Sequence, residues 1–328
     1  MMLWIAGSQP SRAQRTRAHV QVYRPEEKRV NVPKVVSTRR PQHKPKLGQH
    51  FLADDSYALQ LVDALGDVSQ RSVLEIGPGR GILTSLLAKR ARRLIAVELD
   101  RVLAAQLRLR FGMFSNVEII EADILSIDFD SLFGPKPGLR RPGIEFKPEP
   151  IKVIGNLPYG ITSDILLRLF DYSKYFESMV ILVQREVADR IAADPGSRDY
   201  GLLSATAQLY ASVDKLFSLP PGAFSPPPKV HSTALRLTMA PRQKELGLDG
   251  DRRDADLRTK NGFIDFLKLS FAQKRKTLWN NLKSNYPEPL LRAALAQAKV
   301  KPAARAETLS LEESAALFLA LRGNHGAS

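Results

Sequence analysis

Between residues 72 and 123 the chain repeats one rhythm, a short apolar run followed by a stretch of helical period, and few folds accommodate it. Val73-Leu74-Glu75-Ile76 reads as a buried strand that stops at Gly77-Pro78-Gly79-Arg80-Gly81. Leu83, Leu86 and Leu87 then recur at helical spacing. Leu94–Glu98 predicts a second strand, residues 101–111 another helix, and Val117–Ile120 a third strand leading to Ala122-Asp123. Such alternation predicts a parallel sheet with helices on both faces, because each crossover must bring the chain back to run in the same direction.

The rest of the chain is read around that block. Order is expected to begin near Lys46-Leu47-Gly48-Gln49-His50-Phe51-Leu52, before a helix capped by Asp54 or Asp55 with Leu59, Val62 and Leu65 on its apolar face. Residues 134–150, rich in Pro and basic side chains, read as a loop. Strand Lys152-Val153-Ile154, a helix near 162–172, strand Ser178–Val183 and a helix over 185–193 follow. Residues 218–238 read as a hairpin region, with Pro220–Lys229 ahead of the alternating Val230–Leu237. The predicted division is a disordered basic extension over 1–45, a sheet domain over 46–240, a polar linker over 241–260 and a helical domain over 261–328.

Composition narrows the partners. The formal net charge is +15, which favours phosphate backbones or anionic surfaces. Residues 1–50 hold eleven Lys/Arg against Glu26 and Glu27, so this stretch alone carries +9. It is either a solvated arm or a contribution to nucleic-acid affinity. The absence of cysteine excludes disulfides, thiolate zinc sites and Cys nucleophiles. No apolar run approaches the ~18 residues of a membrane span, and Met1–Ala6 is too short for a signal-peptide core. The chain is expected to be a cytoplasmic monomer, with no metal centre.

Gly77, Gly79 and Gly81 lie between a strand and a helix, where glycine lets the backbone approach a ligand closely. No Gly-Lys-Ser/Thr follows, so this is not a phosphate-binding P-loop. Glu98, ending the second strand, can accept from both hydroxyls of a ribose. Asp123, ending the third, can receive an adenine amino group. Three strand ends on one sheet edge make a single crevice, open at this point to a nicotinamide dinucleotide or to S-adenosylmethionine.

The fourth strand separates these. Ile154-Gly155-Asn156-Leu157-Pro158-Tyr159 places Asn, Pro and Tyr at a strand end beside the crevice. An adenine amino nitrogen is a poor nucleophile because its lone pair is delocalised into the ring. The Asn156 amide oxygen and the Leu157 carbonyl can accept its two N–H bonds, drawing it toward tetrahedral geometry. Tyr159 offers a flat face for an extruded base.

These pieces resemble the small-subunit ribosomal RNA adenine dimethylases over roughly residues 44–322. The matching runs are Leu47–Leu52, Glu75–Gly81, Asn156–Tyr159, Gln184-Arg185-Glu186-Val187-Ala188, Phe224–Ser232 and Phe271–Leu278. The resemblance implies an α/β fold, a Rossmann-like S-adenosylmethionine-dependent methyltransferase sheet with a smaller all-helical C-terminal domain. It implies S-adenosylmethionine held by the positions of His50, Leu52, Gly77, Glu98, Asp123 and Asn156, with Phe224 stacking on the target base opposite Tyr159. His50 stands where the family often has Asn. Lys274, Arg275 and Lys276, expected on a helix, become phosphate contacts, with Lys268 and Arg292 nearby. The product implied is two adjacent N6,N6-dimethyladenosines in a hairpin loop near the 3′ end of the small-subunit RNA, made on the assembling subunit.

Three other readings compete. A large-subunit adenine methylase of the antibiotic-resistance type shares the Asn-Leu-Pro-Tyr logic but not the Phe224–Ser232 and Phe271–Leu278 runs. A catalytically idle RNA-binding assembly or transcription factor is opposed by the intact glycine turn, Glu98, Asp123 and Asn156–Tyr159. A dehydrogenase is opposed by the lack of hydride-transfer residues and by the basic charge.

Overall fold

The computed structural model describes residues 50–135, 148–248 and 258–323. The expected extension over 1–45 and most of the 134–150 loop lie outside them. The described chain opens with β1 (Phe51–Leu52) and α1 (Asp55–Ala64). Asp54 caps α1, its side chain accepting from the backbone N–H groups of Ser56 and Tyr57. Val62 and Leu65 face the core as expected, but Leu59 stays 40% exposed and Ala58 and Leu61 take the inward positions.

The predicted repeat follows as β2 (Ser72–Ile76), α2 (Ile82–Leu87), β3 (Arg93–Glu98), α3 (Arg101–Phe111) and β4 (Val117–Glu121). After α4 (Phe129–Phe133) come β5 (Ile151–Asn156), α5 (Thr162–Asp171), β6 (Phe176–Gln184), α6 (Arg185–Ile191), α7 (Leu202–Tyr210), β7 (Ala211–Leu219), β8 (Phe224–Ser225) and β9 (Ser232–Met239). The strands form a seven-stranded sheet in the order β4-β3-β2-β5-β6-β9-β7. The first five are parallel, whereas β9 runs antiparallel to both β6 and β7. The parallel pairing expected over residues 72–123 holds, and the antiparallel β9 and β7 make the whole sheet mixed. The hairpin expected over 218–238 is the antiparallel β7–β9 pair, except that β7 starts earlier, at Ala211, and β9 also pairs with β6.

Side-chain alternation divides the core. Val73, Leu94, Ile154, Val180 and Ala234 face α1 and α2, packing with Leu61, Val62, Leu83 and Leu87. Leu74, Ile95, Val153, Ile181 and Leu235 face the other way, against Ile165, Leu169 and Phe170 of α5. Helix α7 was absent from the sequence reading because nearly all of Leu202–Tyr210 is buried, leaving no polar stripe to give a period.

The C-terminal helices α8 (Arg258–Ser270), α9 (Leu278–Leu282), α10 (Glu288–Gln297) and α11 (Leu311–Gly323) add Phe263, Phe266, Leu291 and Phe318 to the α5 side of the core. Arg242 joins Glu245 and Glu312, tying the segment after β9 to α11. No helix among the described residues is long and apolar enough to cross a membrane.

Candidate active site

The site is assembled where β1, the glycine turn, the end of β5 and β8 meet. Gly77, Gly79 and Gly81 have φ of +64°, +57° and +80°. At Gly79 the reason is also spatial: a Cβ there would lie 2.8 Å from Cδ1 of Phe51, so only glycine lets that ring cover the turn. The Arg80 guanidinium lies over the outer side of the same ring, 4.8 Å from its centroid.

Strand β1 is held by β8, with Leu52 opposite Phe224 and Phe51 opposite Ser225. Leu52 and Phe224 are buried in the α1–α2 core, and Phe224 retains 4% of its surface. Ahead of this pair, the His50 carbonyl accepts from Nδ2 of Asn156 at 2.9 Å. A carbonyl can only accept, so this bond fixes which end of the amide is nitrogen. The other end, Oδ1 of Asn156, is buried and has no hydrogen-bond partner among the described residues.

Tyr159 follows three residues later, half-buried, its ring stacked on the His50 imidazole at 5.7 Å and 27°. Its hydroxyl shares a 3.0 Å hydrogen bond with Oγ of Ser232, while burial holds the phenol above its ordinary pKa. The His50 ring is anchored in turn, Nδ1–H donating to the Pro226 carbonyl at 2.8 Å. His50, just ahead of β1, thus joins the end of β5 to the segment after β8.

Glu98, almost fully buried at the end of β3, accepts from the backbone N–H of Gly79 at 3.0 Å and of Asp100 at 2.9 Å. It braces the glycine turn, and a carboxylate with two accepted bonds keeps lone pairs for further donors. Asp123 does not end β4, which stops at Glu121. It lies two residues beyond and caps a 3-10 turn over Ile124–Ser126, accepting from Leu125 N–H at 2.9 Å. Glu75 on β2 is fully buried beside Thr84, and burial pushes its carboxyl up to about 8.

Lys274, Arg275 and Lys276 are exposed, but they are not on a helix. They occupy the turn between α8 and α9, which Asn281 closes by donating to the carbonyls of Ser270 and Gln273. Lys274 donates to the carbonyl of Arg198. Helical propensity favoured a continuous helix, but Thr277 caps α9 and ends the turn.

The sequence reading missed Phe51, Ser232 and Pro226 as parts of the site. Phe51 stood inside a quoted run, and only its contact with Gly79 gives it a purpose. Ser232 and Pro226 stood inside the matching run Phe224–Ser232, which gave neither a role of its own.

The chain matches the family described as "Ribosomal RNA adenine dimethylase" over residues 40–322. It is 54% identical over 293 residues to the ribosomal RNA small subunit methyltransferase A of Koribacter versatilis, covering 89% of this chain and 99% of that protein. To the protein of the same description in Acidobacterium capsulatum it is 52% identical over 281 residues, 85% of this chain and 92% of the relative. Among solved structures it is similar to the 23S rRNA methyltransferase ErmE, with TM-score 0.58 and 26% identity over 83% of this chain and 99% of that one. A dimethyladenosine transferase from Plasmodium falciparum shares the fold, with TM-score 0.62 and 23% identity over 85% of this chain and 98% of the other.

Proposed function

The chain belongs to the ribosomal RNA adenine dimethylase family, and from that premise we propose that it methylates the N6 amino group of adenines in small-subunit ribosomal RNA with S-adenosylmethionine. Its substrate is two adjacent adenosines in the hairpin loop near the 3′ end, each taken to the dimethyl form on the assembling subunit. The single observation that carries the reading is the Asn156 amide: one end fixed by the His50 carbonyl, the other a buried oxygen without a partner among the described residues. A buried acceptor left open costs stability unless something fills it. An adenine N6–H fits that requirement.

The residues fit the cofactor. Glu98 is a buried carboxylate at a strand end beside a glycine turn too tight at Gly79 for any side chain. Asp123 lies beyond the neighbouring strand with one oxygen already committed to its own turn. Glu98, Asp123, Gly77, Asn156 and the His50–Leu52 segment would hold S-adenosylmethionine, which supplies a methyl group on a positively charged sulfur.

The chain's own contribution is positioning and electrostatics. Oδ1 of Asn156 and the carbonyl of Leu157 accept the two N6 hydrogens, localising the nitrogen lone pair. Tyr159 offers its face to the extruded base and Ser232 fixes the tyrosine, while Phe224, buried in the α1–α2 core, would join it only by turning out of that core. The methylated ammonium is acidic and releases its proton to water, so no side chain need act as a strong base. Lys274, Arg275 and Lys276 neutralise phosphates, within a division into a catalytic part (46–240), a linker (241–260) and a helical RNA-binding part (261–328). The protein works as a cytoplasmic monomer.

The test uses small- and large-subunit particles from cells lacking this gene, each incubated with the purified protein and labelled cofactor, with the small-subunit RNA as the expected target. Mass spectrometry of the RNA should find two dimethyladenosines near the 3′ end. Label confined to large-subunit RNA would redirect the assignment, and RNA binding without any transfer would favour the non-catalytic alternative.

A further inference from the structure

Beside β1, a cleft of about 300 Å³ is lined by Phe51, Ile82, Leu86, Ser85, Arg80 and Arg110, together with Asp55. Its two arginines differ from five others on the same half of the sheet. Arg71, Arg90, Arg92, Arg93 and Arg108 each pair with a carboxylate. Arg110 is exposed, yet it is held by neutral groups: Nη1 donates to the Arg80 carbonyl at 3.0 Å, Nη2 to Ser85 Oγ at 2.9 Å, and the guanidinium lies over Phe111. Ser85 is anchored in turn, its hydroxyl donating to the Gly81 carbonyl at 2.6 Å. Arg80 lies over Phe51 and has no ion pair among the described residues.

Ordered guanidinium groups without an acid partner are suited to bind an anion. Their side-chain entropy is already spent on the protein, and a planar fork matches phosphate oxygens. Asp55 is the one acid in the lining, so the cleft keeps a net positive charge. Its apolar side, formed by Phe51, Ile82 and Leu86, would accept a sugar rather than a bare ion.

We propose that this cleft is a phosphodiester seat for the RNA substrate, in which Arg80 and Arg110 grip one backbone phosphate and the apolar wall takes its ribose. The inference rests on the RNA reading above. It places one RNA contact one residue from the carbonyl that orders the Asn156 amide, since Phe51 lines the cleft and His50 holds Asn156. RNA gripped there pins β1.

The experiment is an RNA-binding titration of the full chain from low to high salt, using the small-subunit hairpin. Arg80→Gln and Arg110→Gln are compared with Arg108→Gln, which removes the same charge from α3 outside the cleft. Each cleft variant should bind about tenfold more weakly at low salt and lower the slope of log affinity against log salt by about 0.7–0.9. Arg108→Gln should leave the slope unchanged. Arg80→Lys should restore most of the slope but not the full affinity, because Lys keeps the charge and loses the fork. Equal slopes in wild type and Arg80→Gln, in protein of unchanged thermal midpoint, would overturn the seat. So would millimolar inorganic phosphate raising the midpoint of wild type but not of Arg80→Gln while RNA slopes stay equal, which identifies a free-phosphate site. Failure of the wild type itself to bind the hairpin would instead remove the RNA reading.

Discussion

Glu75 makes stability depend on pH in a direction opposite to most carboxylates. It is fully buried on β2 beside Thr84, and burial, outweighing the neighbouring threonine, raises its pKa from 4.5 to about 8. Between those values the unfolded chain releases a proton that the folded chain retains. The stabilising state is fully present below about pH 4.5 and is lost as pH rises toward 8. With one pKa unit equal to about 1.4 kcal/mol, the loss is roughly 1 kcal/mol at pH 5 and roughly 3 kcal/mol at pH 7. Glu75→Gln keeps the shape and removes the titration. Its amide brings an N–H that needs an acceptor, a cost of about 1–3 kcal/mol, but that cost does not change with pH. The difference in unfolding free energy between variant and wild type should therefore move by about 2 kcal/mol in favour of the variant between pH 5 and pH 7. Urea titrations at half-unit pH steps measure it, because all other carboxylates are common to both proteins. Parallel stability curves would show that Glu75 is ionised in the folded protein, and the reasoning would fail.

Three further outcomes are expected. Asn156→Ala should reduce methyl transfer about 100-fold or more at saturating RNA, the effect of removing a preorganised acceptor at a reacting centre, and labelled-cofactor turnover would measure it. Glu98→Gln should weaken S-adenosylmethionine binding about tenfold by calorimetry while RNA affinity holds, since a charged acceptor contributes roughly 1.5–3 kcal/mol. Deleting residues 1–45 should lower the salt slope of RNA binding by roughly two to four units without changing which adenines are modified, because phosphate contacts carry little sequence information.

The sheet's first half was legible because β2, β3 and β4 are bounded by Gly and Asp and separated by helices of clear period. The second half was not. Helix α7 is buried all round, and β9 reaches its place between β6 and β7 by a pairing that no local pattern encodes. The same division runs through the site. Gly77, Glu98 and Asn156 could be placed at strand ends from their own neighbours in sequence. The contacts of His50 with Tyr159 and Pro226, and of Phe51 with Gly79, join segments far apart in the chain. Lys274–Lys276 were misplaced on a helix because the stop signal, Thr277 capping α9, also reads as an ordinary helical residue.

The bond from His50 to Pro226 spans 176 positions, and this gives the protein a timetable during synthesis. A chain emerging from the ribosome exposes the glycine turn, Glu98 and finally Asn156 well before residues 224–226 exist to pair with β1. At the usual pace of translation, about 5–20 residues per second, the stretch from Asn156 to Pro226 takes several seconds. A two-residue ladder cannot hold itself closed, so until then the first strand stays loose and the amide of Asn156 remains unoriented. Competence to modify RNA thus arrives with one of the last strands of the sheet, late in synthesis.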